Sequence, residues 1–401
     1  MQSVLKVTWK RLPLSTNYAI AQAVKDADVD VVSAYPITPQ TTVVERISEL
    51  IANGELKAEM IHVESEHSAM SAAIGASAAG ARAFTATSAQ GLELMHELLH
   101  IASGMRLPIV MSVAARALSA PISIWGDYSD VMNTRDTSWV TLIASSAQEA
   151  YDSIIQAYRI AEDPRVFLPV MVAYDGFAMS HTYEPVLVSE TSDAFKDYIP
   201  KEPKWYTLNP DRPITMGSLA NPDWYYEFKY QQVVAIKNAY SVVMEADHEY
   251  GKRYERSYGI IEEAWTDDSD IVLLTYGGLY GTMKESVEQL RKDGIKVGIA
   301  RLRLFRPFPV QDITKLAEKV KAIAVLDRAI TYGMSIAGPV AREIISSVYS
   351  EGLNTSVYSF IVGIGQRTVT EKDIQEIYYK ARSMMDAGER QKESIYWGVR
   401  E

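Results

Sequence analysis

Two acidic residues in the segment VESEH, Glu64 and Glu66, stand where a short apolar run over residues 60–63 gives way to a stretch made almost wholly of Ala, Gly and Ser. A carboxyl group at the end of a strand, entering a helix of small residues, is suited to proton exchange with a nitrogen heterocycle. Arg116 closes a second apolar run in VAAR, and its planar, permanently charged guanidinium is the natural partner of a substrate carboxylate. Between them in sequence lie neutral polar groups at two further run ends: Tyr35 and Thr38 in YPITP, and Ser88 and Gln90 in TSAQG. The competing reading is structural, with Glu66 and Arg116 capping helices or pairing with each other or with neighbouring acids such as Asp127 and Asp130.

Three other motifs call for chemistry and do not sustain it. HELLH at residues 96–100 has zinc-protease spacing, two histidines on one helical face with a glutamate between, but no third ligand follows at a fitting distance. Its neighbours Leu94, Leu98, Ile101 and Ala102 read as core, so a zinc peptidase stands as a minor alternative beside a non-catalytic scaffold role. YGGLYG at residues 276–281 joins a strand to a helix, yet it is neither G-x-G-x-x-G nor a Walker A and reads as a close-packed turn. The eight aromatic residues between 198 and 230 lack interleaved basic side chains and read as packing, not as a platform for bases.

The elements that would position these groups follow from alternation of apolar runs and helical periods. Runs at 29–34, 60–63, 83–87, 108–113 and 167–173 predict strands, with SAQG a tight turn and helices after residue 40, from 67 to 81 as a buried helix, and from 92 to 102. The helix after residue 40 carries Thr42 and Glu45 at capping-box spacing and an Asn53-Gly54 stop. A long helix over about 225–254 leads to a second set: strands at 271–275, 297–300, 322–326 and 357–362, and helices near 282–291, 337–349 and 370–381. Such alternation predicts an α/β protein with mostly parallel sheets. We divide it at 1–260, with an aromatic-rich excursion at about 180–230, and 261–401, and ligands of such sheets bind at the carboxyl ends of strands.

Composition narrows the function. With 51 acidic against 40 basic residues the net charge is -11, which disfavours nucleic acid as a partner. No apolar stretch of about 18 residues occurs, so no membrane span is expected, and the opening residues lack a signal-peptide core, which points to the cytoplasm. There is no cysteine, hence no thiol nucleophile and no ligand for an iron–sulfur cluster.

Taken in order, YPITPQT, VESEHSAM, TATSAQGLELM, LPIV followed by AAR, and RLRLFRPFP make the chain similar over nearly its whole length to the alpha subunits of pyruvate:ferredoxin oxidoreductase and its 2-oxoacid relatives. The resemblance implies a first domain like the pyrimidine-binding domain of thiamine diphosphate enzymes and a second like the transketolase C-terminal domain. It implies that Glu66, and not Glu64, meets the cofactor's aminopyrimidine nitrogen and favours the imino tautomer needed to deprotonate the thiazolium. It likewise implies that Thr38 lies beside the reactive carbon, that Arg116 clamps the 2-oxoacid carboxylate, and that Tyr35, Ser88 and Gln90 lie on the cofactor side. No GDG followed by an Asn at about 30 residues is present, and GDY at 126–128 does not replace it. Magnesium, the diphosphate site and the iron–sulfur clusters are therefore expected on other subunits: a beta subunit sharing the thiamine diphosphate, with small gamma and delta subunits. The reaction implied is anaerobic oxidative decarboxylation of pyruvate with coenzyme A and ferredoxin, with 2-oxoisovalerate or 2-oxoglutarate as the alternative substrates.

Overall fold

A computed structural model describes residues 7–191, 193–202 and 206–400. An antiparallel ribbon of β1 (Trp9–Ser15) and a later strand precedes α1 (Thr16–Asp26), and the chain then alternates. It runs through β2 (Val31–Ala34), α2 (Thr41–Ala52), β3 (Glu59–His62), α3 (Glu66–Ala78), β4 (Ala83–Thr87), α4 (Ala89–Leu94), α5 (His96–Gly104) and β5 (Val110–Ala115). After α6 (Ser129–Asn133) come β6 (Val140–Ile143), α7 (Ala147–Ala161), β7 (Val170–Asp175), the ribbon partner β8 (Tyr183–Ser189) and the 33-residue α8 (Pro222–Tyr254). The rest comprises β9 (Ile261–Ala264), β10 (Ile271–Thr275), α9 (Leu279–Lys292), β11 (Val297–Leu302), β12 (Leu304–Arg306), α10 (Val310–Lys319), β13 (Ala322–Asp327), α11 (Pro339–Ser350), β14 (Ser356–Ile361), α12 (Glu371–Asp386) and β15 (Ile395–Tyr396).

The first sheet has the order β12-β6-β7-β5-β4-β2-β3, parallel except for β12, and the second β15-β14-β13-β10-β11-β9, parallel except for β9. Strands β5 and β7 are buried along their whole length, as expected of central parallel strands covered on both faces. Helices α1, α2 and α7 cover one face of the first sheet, and a second core runs from α3 and α5 through Tyr128 and Tyr276 to α10 and α11, joining the two sheets. Among the described residues no helix is long and apolar enough to cross a membrane.

RLRLFRPFP is the clasp between the sheets. Arg301 lies near the end of β11 in the second sheet, and three residues later Leu304 pairs with Leu142 in the first. Arg301 donates two bonds to Glu149 of α7, at 2.8 and 2.9 Å, and a third to Glu262 at 3.0 Å. Arg303 donates to Gln156 at 2.8 Å, and Arg256 of the loop after α8 closes on Asp152 at 2.7 Å. Glu149, Asp152, Arg301 and Arg303 are all buried and charge-paired, although Arg303 Nε, 3.2 Å from Glu149, makes no hydrogen bond.

Several expectations need correcting. Thr42 and Glu45 form no capping box: α2 starts at Thr41 from Gln40 with no side-chain cap, because the Thr42 hydroxyl accepts from Asn17 at 2.7 Å. SAQG is no separate turn but the start of α4, and the single helix expected over 92–102 is two, broken at Met95. Helix α3 is buried on one face only, with Ser71 and Gly75 exposed. In α5 and its approach Leu98 and Ala102 are buried, whereas Leu94 and Ile101 are exposed. The aromatic stretch is not uniformly packed: Tyr198 is buried, Trp205 lies outside the described residues, and Trp224, Tyr225, Tyr226, Phe228 and Tyr230 stand in solvent. The YGGLYG turn is close-packed as expected, since Gly278 N–H donates to Asp175 at 2.7 Å and a Cβ on Gly277 would overlap Tyr128. That carboxylate takes the place a phosphate would need.

Candidate active site

The strand order sets the site. Glu66 follows β3, Thr38 follows β2, Ser88–Gln90 follow β4 and Arg116 follows β5, and these four strands are consecutive neighbours, so their carboxyl ends form one continuous edge. Chain direction across the sheet reverses there, since β2 leads to β3 on one side and is flanked by β4 on the other, the position where open α/β sheets leave a crevice.

Glu66 is the first residue of α3, immediately after the N-cap Ser65, whose hydroxyl accepts from Ser68 N–H. The side chain is buried, and burial holds its carboxyl above the ordinary glutamate range. Glu64 differs in each respect. It is exposed, bonded to the Ser68 hydroxyl, and that bond draws its carboxyl below the ordinary range. Gly91 explains how a carboxyl can lie against α4: a Cβ built there would come 2.5 Å from Glu66 Oε1 and 2.6 Å from Thr87 Oγ1. Around this notch Thr87 Oγ1 and Gln90 Nε2 are buried without a hydrogen-bond partner among the described residues. Orphaned buried polar atoms of this kind call for a ligand or water, and a buried carboxyl beside a neutral donor and acceptor suits a nitrogen heterocycle such as an aminopyrimidine.

Arg116 forms the other wall. Its Nε donates to Ser123 O and its Nη1 to Thr38 O, both at 2.8 Å, while among the described residues no carboxylate pairs with the guanidinium. Asp127 and Asp130, the ion-pair partners considered from sequence, are otherwise engaged. Asp127 accepts from Ser129 and Gly365 N–H, and Asp130 accepts from the main chain: Ala89 N–H at 2.8 Å, Arg116 N–H at 3.0 Å and Val131 N–H at 2.8 Å. Full burial pushes the Asp130 carboxyl up to about 8, opposed by the bonds from Ala89 and Arg116. Asp130 thus ties the end of β5 to the start of α4, where Ala89 is held at φ 44°, a left-handed conformation costly without glycine. Gly176 lets the wall close, since a Cβ there would lie 2.6 Å from Ala115 O and 3.0 Å from Pro39.

The structure therefore brings Thr38 and Arg116 into contact and sets Glu66 beside the Ser88–Gly91 turn. Ser88 turns inward, donating to Ala114 O at 2.7 Å, so its hydroxyl holds β4 to β5. Tyr35 is partly exposed, and its carbonyl accepts from Gln40, which also donates to Ala86 O. Thr87 and Gly91 were missed although both stand in TSAQG, and Asp130, considered from sequence as an ion-pair partner of Arg116, instead binds main-chain N–H groups. His96 and His100 lie with rings 5.4 Å apart, and among the described residues no group of three or more His, Cys, Asp or Glu could hold a metal ion.

Comparison with known proteins matches residues 22–248 to a family described as pyruvate flavodoxin/ferredoxin oxidoreductase, thiamine diphosphate-binding, and residues 269–374 to pyruvate:ferredoxin oxidoreductase core domain II. The chain is 46% identical to the pyruvate synthase subunit PorA of Pyrococcus abyssi over 96% of its own length and 97% of the relative's. It is 49% identical to PorA of Methanocaldococcus jannaschii over 90% and 92%. It is also 46% identical to the ketoisovalerate oxidoreductase subunit VorA of P. abyssi over 96% of both chains. Among solved structures, a 2-oxoglutarate:ferredoxin oxidoreductase chain from Magnetococcus marinus matches with a TM-score of 0.70 at 18% identity, covering 92% of this chain and 65% of that one. At that identity the likeness is one of fold.

Proposed function

The chain belongs to the pyruvate flavodoxin/ferredoxin oxidoreductase family as an alpha subunit, and from that premise we propose that it supplies half of a thiamine diphosphate site for oxidative decarboxylation of pyruvate. Bound thiamine diphosphate would supply a nucleophilic carbon and an electron sink for the bond to carbon dioxide. The observation that carries the reading is the buried carboxyl of Glu66 against the Gly91 notch, held above the ordinary range by burial, together with the Arg116 guanidinium, which no carboxylate among the described residues pairs.

Glu66 holds a proton at its carboxyl and presents it to a ring nitrogen, which a buried acid does better than an exposed one. Thr87 and Gln90 offer the polar contacts that orient the ring in the notch. Arg116, anchored by two main-chain carbonyls, one of them that of Thr38, with Nη2 left over, orients the substrate carboxylate, and the family resemblance assigns the Thr38 hydroxyl to the reactive carbon. Ser88 and Tyr35 shape the crevice behind these groups. Magnesium, the diphosphate contacts and the iron–sulfur clusters would come from a beta subunit, with gamma and delta subunits completing a cytoplasmic complex that uses coenzyme A and ferredoxin. The lack of cysteine in this chain supports that division of labour.

A second reading, a branched-chain 2-oxoacid such as 2-oxoisovalerate, rests on the equal 46% identity to PorA and VorA from one organism. The assembled complex, assayed with pyruvate, 2-oxoisovalerate and 2-oxoglutarate and a low-potential dye, tests both. The highest kcat/KM is expected with pyruvate, preference for 2-oxoisovalerate would favour the second reading, and no turnover with any 2-oxoacid would reject both.

A further inference from the structure

Two loops of different character hold the guanidinium of Arg116. Its Nη1 donates to Thr38 O, and the Thr38 loop is fixed inside the first domain, where Asn17 donates to Pro39 O and Gln40 to Ala86 O, each at 2.8 Å. Its Nε donates to Ser123 O, in a loop over residues 117–127 that closes on itself through Ala117 N–H and Trp125 O at 3.0 Å. Between Leu118 and Trp125 no residue of this second loop is buried, and Ile122 is 78% exposed. Packing therefore does not fix where Ser123 stands.

Polar ties from the second domain fix it instead. Residues 363–366 follow β14 and lie against the loop: Gly126 N–H donates to Gln366 Oε1 at 3.1 Å, Gly365 N–H donates to Asp127 at 3.0 Å, and a Cβ on Gly365 would lie 3.6 Å from Ser123 Oγ. Gly126 in turn presses on the strand end that carries Arg116, since a Cβ there would come 2.6 Å from Gly176 O and 3.4 Å from Ala115 O. Gln366 is held at φ 60°, a left-handed conformation costly to a residue with a side chain, and such strain gathers where a side chain has a task.

We propose that Gln366 is a positioning residue for substrate recognition: from the second domain it holds the 117–127 loop so that Ser123 O aims the Arg116 guanidinium at the 2-oxoacid carboxylate. The inference rests on the reading of Arg116 as the substrate clamp. The competing role, joining the two sheets, is served elsewhere. Arg301 with Glu149, Arg328 with Asp175, and the core around Tyr128 and Tyr276 already join them in buried surroundings. One neutral hydrogen bond from a half-buried side chain adds little to that union. At the loop the same bond sets the direction of a charged fork, and a bidentate contact depends on direction as well as on charge.

The test is a double-mutant cycle in the assembled complex, with KM and kcat for pyruvate, Tm and thiamine diphosphate content measured on each preparation. Gln366→Gly removes the acceptor and leaves a backbone that adopts the left-handed conformation freely. It is expected to raise KM by about 3- to 10-fold with kcat within about twofold, and to leave Tm and cofactor content unchanged. In an Arg116→Leu background the same change is expected to add nothing to KM, because it acts only through the guanidinium. A drop in Tm or cofactor content that accompanies the rise in KM, or a rise that persists in full without Arg116, would assign Gln366 to the fold and overturn the proposal. An unaltered KM in Gln366→Gly beside a raised KM in Arg116→Leu would overturn the positioning role alone, whereas an unaltered KM in Arg116→Leu would overturn the reading of the clamp and this proposal with it.

Discussion

Two regions of the molecule bury the same kinds of ionisable side chain and treat them in opposite ways. In the clasp, Glu149 meets Arg301 in a bidentate pair and Arg256 closes on Asp152, so each acid has its base. At the carboxyl edge of the sheet, Glu66 and Arg116 are also buried, yet they pair neither with each other nor with another charged side chain among the described residues. A buried ionisable group without a charged partner is destabilising, so a fold retains it where a ligand supplies the missing half. The proposed roles follow this difference: paired charges that hold the protein together, and groups without charged partners offered to a ligand.

The sharpest way to break this contrast is to remove one member of the clasp. Glu149→Ala leaves Arg301 and Arg303 buried beside an empty acceptor and should destabilise the subunit by about 3 to 5 kcal/mol, seen as a large drop in Tm, with kcat/KM per folded site nearly unchanged. Arg116→Leu should do the reverse. A charge-assisted contact to substrate is lost, about 2 to 4 kcal/mol or roughly 30- to 1,000-fold in kcat/KM for pyruvate, while Tm and cofactor content barely move. If Tm fell and kcat/KM per bound cofactor did not, Arg116 would belong with the clasp.

A smaller effect is expected from Gly91→Ala. The added methyl would meet Glu66 Oε1 and Thr87 Oγ1, and overpacking of this kind costs about 1 to 3 kcal/mol. The outcome should be weaker retention of thiamine diphosphate by about 5- to 150-fold in Kd, measured by fluorescence titration of the complex, with little change in KM for pyruvate.

A pH-dependent effect is expected at Asp130. Its carboxyl titrates near 8 in the fold against 3.8 for an unperturbed Asp, so the folded state binds the extra proton between those values. Stability from this group is complete below about pH 4 and is lost as pH rises towards 8. Asp130→Asn should flatten the fall of Tm over that interval. A slope identical to that of the unaltered protein would show that the proton is held elsewhere.

How much of this was legible beforehand depended on range. Strands β4 and β10 were read to the residue because a continuous apolar run is a local signal, and Glu66 was distinguished from Glu64 by the VESEH resemblance, a choice that the burial of one and exposure of the other now supports. Helix α7 went unread. Its Glu149, Asp152 and Gln156 look like a solvated face, and only Arg301, Arg303 and Arg256, about 100 to 150 residues later, make that face part of the core. Thr42 failed as a cap for a similar reason, since Asn17 of α1 claims its hydroxyl. The exposed rings of α8 deceived differently: aromatic residues signal burial, yet Trp224, Tyr225, Tyr226, Phe228 and Tyr230 stand in solvent.

The central claim is that the unpaired carboxyl of Glu66 delivers a proton to bound cofactor. It is tested most directly by deuterium exchange at C2 of thiamine diphosphate bound to the assembled complex, read by NMR after acid quench, comparing the unaltered protein with Glu66→Gln and Glu64→Gln. The account predicts exchange slowed by about 2 to 4 kcal/mol, roughly 30- to 1,000-fold, in Glu66→Gln at equal cofactor occupancy, and unchanged exchange in Glu64→Gln. Unchanged exchange in Glu66→Gln, or slowing confined to Glu64→Gln, would contradict it.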